Sequence, residues 1–203
     1  MTKKKRNMKR SVIVIIVLVL VGLFIYFSVR NTYNNMVGFN ESVAEQWSQV
    51  ENVYQRRADL IPNLVNTVKG YAEFERETLT QVIEARSKAT SVNVNADNLN
   101  PAMFQQFQEA QGELSSALSR LLVTIERYPD LKANQNFLDL QAQLEGTENR
   151  IATERRKFNQ VTRDYNTYIK KFPQVMFANM FGFDPKPYFE ADQGAEEVPA
   201  VEF

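Results

Sequence analysis

The sequence predicts an all-α protein: an N-terminal transmembrane helix followed by an elongated antiparallel bundle of three to four long helices. Three observations predict it. Ser11–Val29 is a run of nineteen residues without a charge. Apolar side chains then recur at heptad spacing through three stretches of the body. Only two stretches before residue 172 read as breaks between helices.

The apolar run reads SVIVIIVLVLVGLFIYFSV. As a helix it covers about 28 Å, close to the roughly 30 Å hydrocarbon core of a bilayer. Its Val, Ile and Phe content would also suit a strand, but only a helix satisfies its own backbone in lipid. A cleavable signal peptide needs a shorter apolar core and a small-residue cleavage site, and FSVRNTYNN offers none. The expectation is an uncleaved signal anchor. Lys3, Lys4, Lys5, Arg6, Lys9 and Arg10 flank one side, whereas Arg30 is alone on the other until Arg56. The positive-inside rule then puts the N-terminus in the cytoplasm and the body outside it. The expected location is the cell membrane (the inner one in a diderm). Tyr26 and Tyr33 are placed at the outer interface. Between Val29 and Val37 only Asn31, Asn34 and Asn35 weaken a helix, so the tether should continue as a stiff stalk. The expected divisions are a basic cytoplasmic segment at 1–10, the span at 11–29, the bundle domain at 30–190 and an acidic disordered tail at 191–203.

The 203 residues carry a formal net charge of zero, which hides a split. Residues 31–203 hold 17 basic and 24 acidic side chains, a net of −7. Such a body lacks the basic footprint that nucleic acid requires. There is no Cys and no His, which removes disulfides, thiolate chemistry, and the commonest general base and metal ligand.

The seams are explicit. Val43, Val50, Arg57, Leu64 and Tyr71 run beside Trp47, Tyr54, Ile61 and Val68. Phe107, Leu114, Leu121 and Tyr128 run beside Phe104, Gln111, Leu118 and Ile125. Phe137, Leu144, Ile151, Phe158, Tyr165 and Phe172 run beside Leu140, Thr147, Glu154, Val161 and Tyr168. Stripes like these need one another, and coiled-coil-like packing is the natural solution. The breaks are SVNVNADNLN, where Asn100-Pro101 reads as an N-cap followed by proline at N1, and Tyr128-Pro129-Asp130. Pro62 interrupts the first seam, leaving one kinked helix or two. Arg57, Gln111 and Glu154 stand within the seams. A buried polar layer is one reading; snorkelling to a bundle edge is the plainer one.

Two groups are candidates for partner binding or a hinge. Around DLIPNLV lie Arg56, Arg57, Asp59, Pro62, Asn63 and Asn66; they can form a recognition site, or simply satisfy backbone groups that proline frees. At the corner lie Tyr128, Pro129, Asp130 and Lys132; Asp130 can cap the next helix and Lys132 can reach back to the preceding one. Neither assembles a nucleophile, a base and an oxyanion donor. No catalytic, cofactor or metal residue is expected. Glu73, Glu75 and Glu77 alternate, and the pairs Glu109/Glu113 and Glu145/Glu148 lack the His that di-metal bundles use. Arg150, Arg155, Arg156, Lys157, Arg163, Lys170 and Lys171 make the last long helix basic, which suits lipid headgroups or an acidic partner but is more often mere solvation. After Phe172-Pro173, the Met- and Phe-rich segment through Phe189 is expected to fold back and close one end of the bundle. A membrane-contacting or subunit-contacting surface is its alternative.

Several of these strings occur together in one known family. Gln55-Arg56-Arg57-Ala58-Asp59-Leu60-Ile61-Pro62-Asn63-Leu64-Val65 continues into Val68-Lys69-Gly70-Tyr71-Ala72. Glu84-Ala85-Arg86, Glu126-Arg127-Tyr128-Pro129-Asp130-Leu131-Lys132-Ala133 and Thr147-Glu148-Asn149-Arg150-Ile151 follow in order. With Asn159, Tyr165-Asn166, Phe172-Pro173 and Tyr188-Phe189-Glu190, the chain resembles the LemA family over roughly residues 30–190. The resemblance implies a bacterial protein with an N-terminal membrane helix, a helical bundle and no established enzymatic activity. The family includes magnetosome-associated membrane proteins, and its members accompany envelope proteins such as those with a TPM domain. The expected role is a non-enzymatic scaffold or adaptor in the cell envelope, without cofactor. Its expected partners are the lipid bilayer, further copies of itself (a homo-oligomer) and other envelope proteins, with no nucleic acid. A self-assembling membrane-remodelling coat is the alternative.

Overall fold

The first helix, α1, runs without interruption from Thr2 to Lys69, with Pro62 inside it. Of the two readings Pro62 left open, a single helix is the one found; the first stretch is divided instead between Lys69 and Arg76, a division that the two expected breaks did not include. The computed structural model describes the backbone of residues 2–70, 76–94 and 99–190, and side chains from residue 11 onward in those segments. The expected tail at 191–203 lies outside the described residues, as do Tyr71, Glu73 and Glu75. The other helices are α2 (Arg76–Ser91), α3 (Pro101–Ile125), α4 (Pro129–Lys132), α5 (Gln135–Lys170) and α6 (Gln174–Phe181). Among the described residues there is no strand.

Helix ends follow local chemistry. The Asn100 side chain accepts from the backbone N–H of Ala102 at 2.9 Å and of Met103 at 3.4 Å, with Pro101 at N1 as expected. At the corner, Pro129 opens the four-residue α4 and Asp130 lies in its first turn. The cap of α5 is instead Asn134, whose Oδ1 accepts from the Phe137 N–H at 3.1 Å. Gly182 ends α6 in the left-handed region at φ 75°, a conformation that favours glycine.

The chain divides into two units whose boundaries fall within α1 and α5. The first comprises Met1–Asn40 and Tyr165–Pro185. Its large apolar side chains from Val12 to Phe27 are all exposed, from 48% at Leu23 to 73% at Phe24. An apolar surface of that extent is incompatible with water and matches lipid. Beyond it Thr32 and Met36 are buried. The Tyr33 ring packs edge-on against Phe181 at 5.1 Å and Phe183 at 5.8 Å. Phe39 lies 4.9 Å from Tyr168, whose hydroxyl accepts from Asn35 Nδ2 at 3.2 Å. The Tyr165 hydroxyl donates to the Asp184 carbonyl at 2.9 Å. Burial, with the Asp184 charge adding to it, pushes that phenol up to about 12.

The second unit comprises Glu41–Asp164 and the chain from Lys186 onward. Contacts between specific residues give its helix directions. As α1 advances from Trp47 to Arg57, its partners on α3 advance from Phe104 to Gln111, while those on α5 fall from Phe158 to Glu148. Partners of α2 also run opposite to α1 and to α3: Trp47 meets Val94, just past α2, where Ala58 meets Arg86, and Gln111 meets Ala89 where Glu113 meets Lys88. Helices α1 and α3 therefore point one way and α2 and α5 the other, an up-down-up-down bundle. The expected seams are buried: Val43, Val50, Leu64 and Trp47, Tyr54, Ile61, Val68 on α1, and Phe137, Leu144, Ile151, Phe158 on α5. Phe172 departs from its seam and is 80% exposed. The reason is that α5 ends at Lys170, so the heptad no longer aims the next member inward.

The core has two textures. Around Trp47 gather Phe104, Phe107, Phe158 and Phe189, with ring centroids 5.2 to 6.1 Å away, and the indole N–H donates to the Val94 carbonyl at 3.2 Å. Further along, Ile61, Leu64, Val68, Leu79, Val82, Leu114, Leu121 and Phe137 form a mostly aliphatic cluster. Of the Met- and Phe-rich segment, only Phe189 closes this core. It is anchored by the Asn159 amide, which donates to the Phe189 carbonyl and accepts from its N–H, both at 2.8 Å. Replacing Phe189 with Ala should cost about 3 kcal/mol of stability. Tyr188→Ala, at an exposed neighbour, should cost well under about 1 kcal/mol. Urea unfolding of the two variants checks the contrast.

Candidate functional site

The first candidate group centres on Arg57, which α1 presents to the bundle interior at 1% exposure. Its Nη1 donates to Glu148 Oε1 on α5 at 2.5 Å and to Ser115 Oγ on α3 at 2.8 Å. Its Nη2 donates to Gln111 Oε1 at 2.5 Å and to the Gln111 carbonyl at 3.4 Å. The Tyr54 ring lies 5.2 Å from the guanidinium carbon, in cation–π range. Nε alone has no partner. Gln111 passes the connection on, its Nε2 donating to the Ala89 carbonyl on α2 at 3.2 Å. One polar layer thus touches α1, α2, α3 and α5.

Snorkelling is therefore corrected for Arg57 and Gln111: both are buried at one level. An arginine reaches a bundle edge only if its stem has room to turn outward, and here its fork is matched by acceptors on two other helices. Glu148, 45% exposed, supplies a counter-charge and faces water itself. Glu154 lies six residues further along α5, about 9 Å away along the axis. It accepts from Gln46 at 2.8 Å and Lys157 at 3.0 Å. Burial acts to raise its pKa, but those hydrogen bonds and the charges of Lys157 and Arg150 together hold it below the ordinary value.

Pro62 explains a second contact. A proline has no N–H to give the carbonyl four residues earlier, which is that of Ala58. Arg86 Nε from α2 donates to that carbonyl at 2.8 Å. The group that proline frees is thus satisfied by a residue outside the DLIPNLV segment. A signal was available: an interior proline leaves an acceptor at i−4, and Glu84-Ala85-Arg86 supplies a donor on the next helix.

The other candidates lie on the outside. Arg56 lines an open depression of about 230 Å³ with Arg150, Gly146 and Thr147. Asp59 accepts from Gln55 at 2.8 Å. Pro62, Asn63 and Asn66 are exposed, and the Asn63 carbonyl accepts from Thr67 Oγ1 at 2.9 Å. At the corner, Tyr128 packs half-buried against the aliphatic cluster, Pro129 and Asp130 are exposed, and Lys132 pairs with Glu126 at the end of α3. Along α3 the corner is about 21 Å from Gln111, so the two candidate groups form no single site. A second depression of about 200 Å³ opens beside the layer, lined by Glu51, Tyr54, Asn93 and Gln111 among others. Burial raises the Glu51 carboxyl above its ordinary range, opposed by a hydrogen bond with Trp47. Ser115 meets a guanidinium rather than a base. Among the described residues no three His, Cys, Asp or Glu side chains are grouped to hold a metal.

The model of the LemA family matches residues 46–203. The chain belongs to the LemA family. Among its curated relatives, magnetosome protein MamQ 2 of Paramagnetospirillum magneticum is 25% identical over 187 residues, covering 83% of this chain and 68% of the relative. Magnetosome protein MamQ of Magnetospirillum gryphiswaldense is 26% identical with the same coverage. Protein LemA of Metamycoplasma hominis is 26% identical over 152 residues, covering 75% of this chain and 65% of that protein. The family match takes in Arg57, Pro62, Arg86, Gln111 and Glu148, and begins after the apolar run. This LemA-family chain is accordingly a membrane-associated helical bundle whose polar layer lies within the family domain.

Two outcomes test the layer. Water can replace Glu148 at the bundle edge but cannot reach Gln111, which is 7% exposed. Gln111→Leu should therefore cost about 3 kcal/mol, and Glu148→Ala only about 1 kcal/mol; denaturant midpoints would show the reverse order if water did not reach the guanidinium once Glu148 is removed. Arg86→Met should cost about 1–2 kcal/mol by stranding the Ala58 carbonyl. In a Pro62→Ala background, where residue 62 regains its N–H, most of that loss should vanish. A double-mutant cycle should give a coupling of about 1 kcal/mol.

Proposed function

We propose that this LemA-family protein is a single-pass, N-in membrane anchor carrying a non-enzymatic scaffold or adaptor domain on the extracytoplasmic side of the bacterial envelope. The observation that carries the reading is the exposed apolar run of α1, which nothing else in the chain covers among the described residues. A helix of that kind holds its bundle at a membrane. The six basic residues before it and the single Arg30 after it support the orientation. Against catalysis stands the use made of the polar side chains: Arg57, Ser115, Gln111 and Glu148 are engaged with one another. Arg56 and Arg150, which line one depression, offer a partner two guanidinium groups of the kind that bind carboxylates.

The absence of cysteine makes topology directly measurable. Val123, on α3, is 71% exposed. In intact cells an impermeant maleimide should label Val123→Cys and spare Lys5→Cys until the membrane is opened; the opposite pattern would invert the proposed topology. After gentle detergent extraction, an adaptor should appear as small complexes with other envelope proteins. Large particles of this chain alone would favour the coat.

A further inference from the structure

We propose that α6 is a second membrane contact, with its Phe172–Met176–Met180 surface seated on the bilayer at the boundary between headgroups and acyl chains. The proposal rests on the anchor reading above. All the observations lie within the first unit, which also contains the apolar run. The α6 sequence, QVMFANMF, has no charge. Met176 and Met180 are four residues apart and share one face of the helix. They are 60% and 63% exposed, Phe172 just ahead of them 80%, and Phe181 still 41%. Large flexible thioethers and a phenyl ring left in water this way mark a contact surface.

What covers it is indicated by height. Tyr33 lies four residues past Val29, about 6 Å further along α1. The headgroup layer on each side of the hydrocarbon core is about 5–7 Å thick. Phe181 and Phe183 touch Tyr33, so the end of α6 lies at the headgroup level of the span. The end of α5, just ahead of α6, is tied to α1 as well, through Tyr168 with Asn35 and Phe39. Charge agrees in sign: in residues 30–40 and 165–185 the charged residues are Arg30, Lys170, Lys171 and Asp184, a net of +2, all exposed. Apolar side chains beside a net positive charge are the composition of an interfacial segment that meets anionic lipid. An aromatic at this depth, such as Tyr33, is equally in keeping.

The test uses the full-length, cysteine-free chain with single cysteines carrying an environment-sensitive fluorophore. The protein is reconstituted in phosphatidylcholine–phosphatidylglycerol vesicles, some of whose lipids bear a nitroxide at the top of the acyl chain. Met176→Cys and Met180→Cys should both be quenched roughly twofold or more, while Val123→Cys should be unaffected. Phe24→Cys reports the anchor separately. Quenching at Phe24→Cys without quenching at positions 176 and 180 overturns the α6 contact and leaves the anchor standing. No quenching at Phe24→Cys removes the anchor reading and this proposal with it. Unquenched labelled Met176→Cys, together with disulfide cross-linking of the unlabelled Met176→Cys chain to itself under oxidant, assigns the face to a second copy instead and also overturns the proposal.

Discussion

A guanidinium buried where four helices meet has lost its water on every side, and each acceptor it gains must come from a particular helix in a particular register. That constraint organises the bundle around Arg57. Apolar heptads alone tolerate slippage, because moving a helix by seven residues puts one apolar side chain where another stood. The layer does not tolerate it. Sliding α3 by one heptad would bring Leu118 or Phe104 to the place of Gln111, and neither can accept a hydrogen bond from Arg57. Sliding α5 would substitute Gln141 or Arg155 for Glu148, removing the counter-charge or replacing it with a like charge. Such layers contribute little net stability, since a well-packed apolar set would hold as well. What this one supplies is the choice of one alignment among several that are otherwise similar.

The proline adds a second fixed point immediately next to the first. Ala58 follows Arg57 in α1, and its freed carbonyl is claimed by Arg86 from α2. Gln111 reaches α2 again at Ala89, three residues beyond Arg86. The shortest long-range partner in the bundle, α2 with 16 residues, is thus set by two backbone carbonyls rather than by its apolar face alone. The polar level also separates the two textures of the core. Trp47 and its phenylalanine neighbours lie on one side along α1, and Ile61, Leu64 and Val68 on the other. A charge whose position is specified this tightly makes mixing of the two halves costly.

Much of this was legible in the amino-acid order, and the exceptions have physical causes. The seams through Trp47, Leu114 and Phe158 could be read because burial repeats with the helical period. The Asn100-Pro101 start was legible because capping is local chemistry. The grouping of Arg57 with Gln111, Ser115 and Glu148 was not, because it depends on the alignment of three helices that the intervening loops leave open. The same holds for Arg86, which satisfies an acceptor 28 residues away. The seam failed at Phe172 because periodicity says nothing of where a helix stops, and α5 stops at Lys170. At the corner, Asn134 rather than Asp130 caps α5, since the short α4 shifts the helix start by several residues.

The distribution of polar and apolar side chains between interior and surface bears on function. In the bundle, groups that elsewhere do chemistry are turned inward or toward one another: a guanidinium on an amide, a carboxamide on a backbone carbonyl, an arginine on the acceptor left by proline. Apart from Arg57 Nε, groups used in this way are engaged, and binding a substrate to them would first require undoing the helix alignment they maintain. The unsatisfied surface of the described chain is instead apolar and concentrated in the unit that carries the span: the run from Val12 to Phe27, then Phe172, Met176 and Met180. Water is a poor solvent for all of it. On the reading proposed above, a lipid surface can cover both parts of that apolar area, which no described side chain of the unit covers.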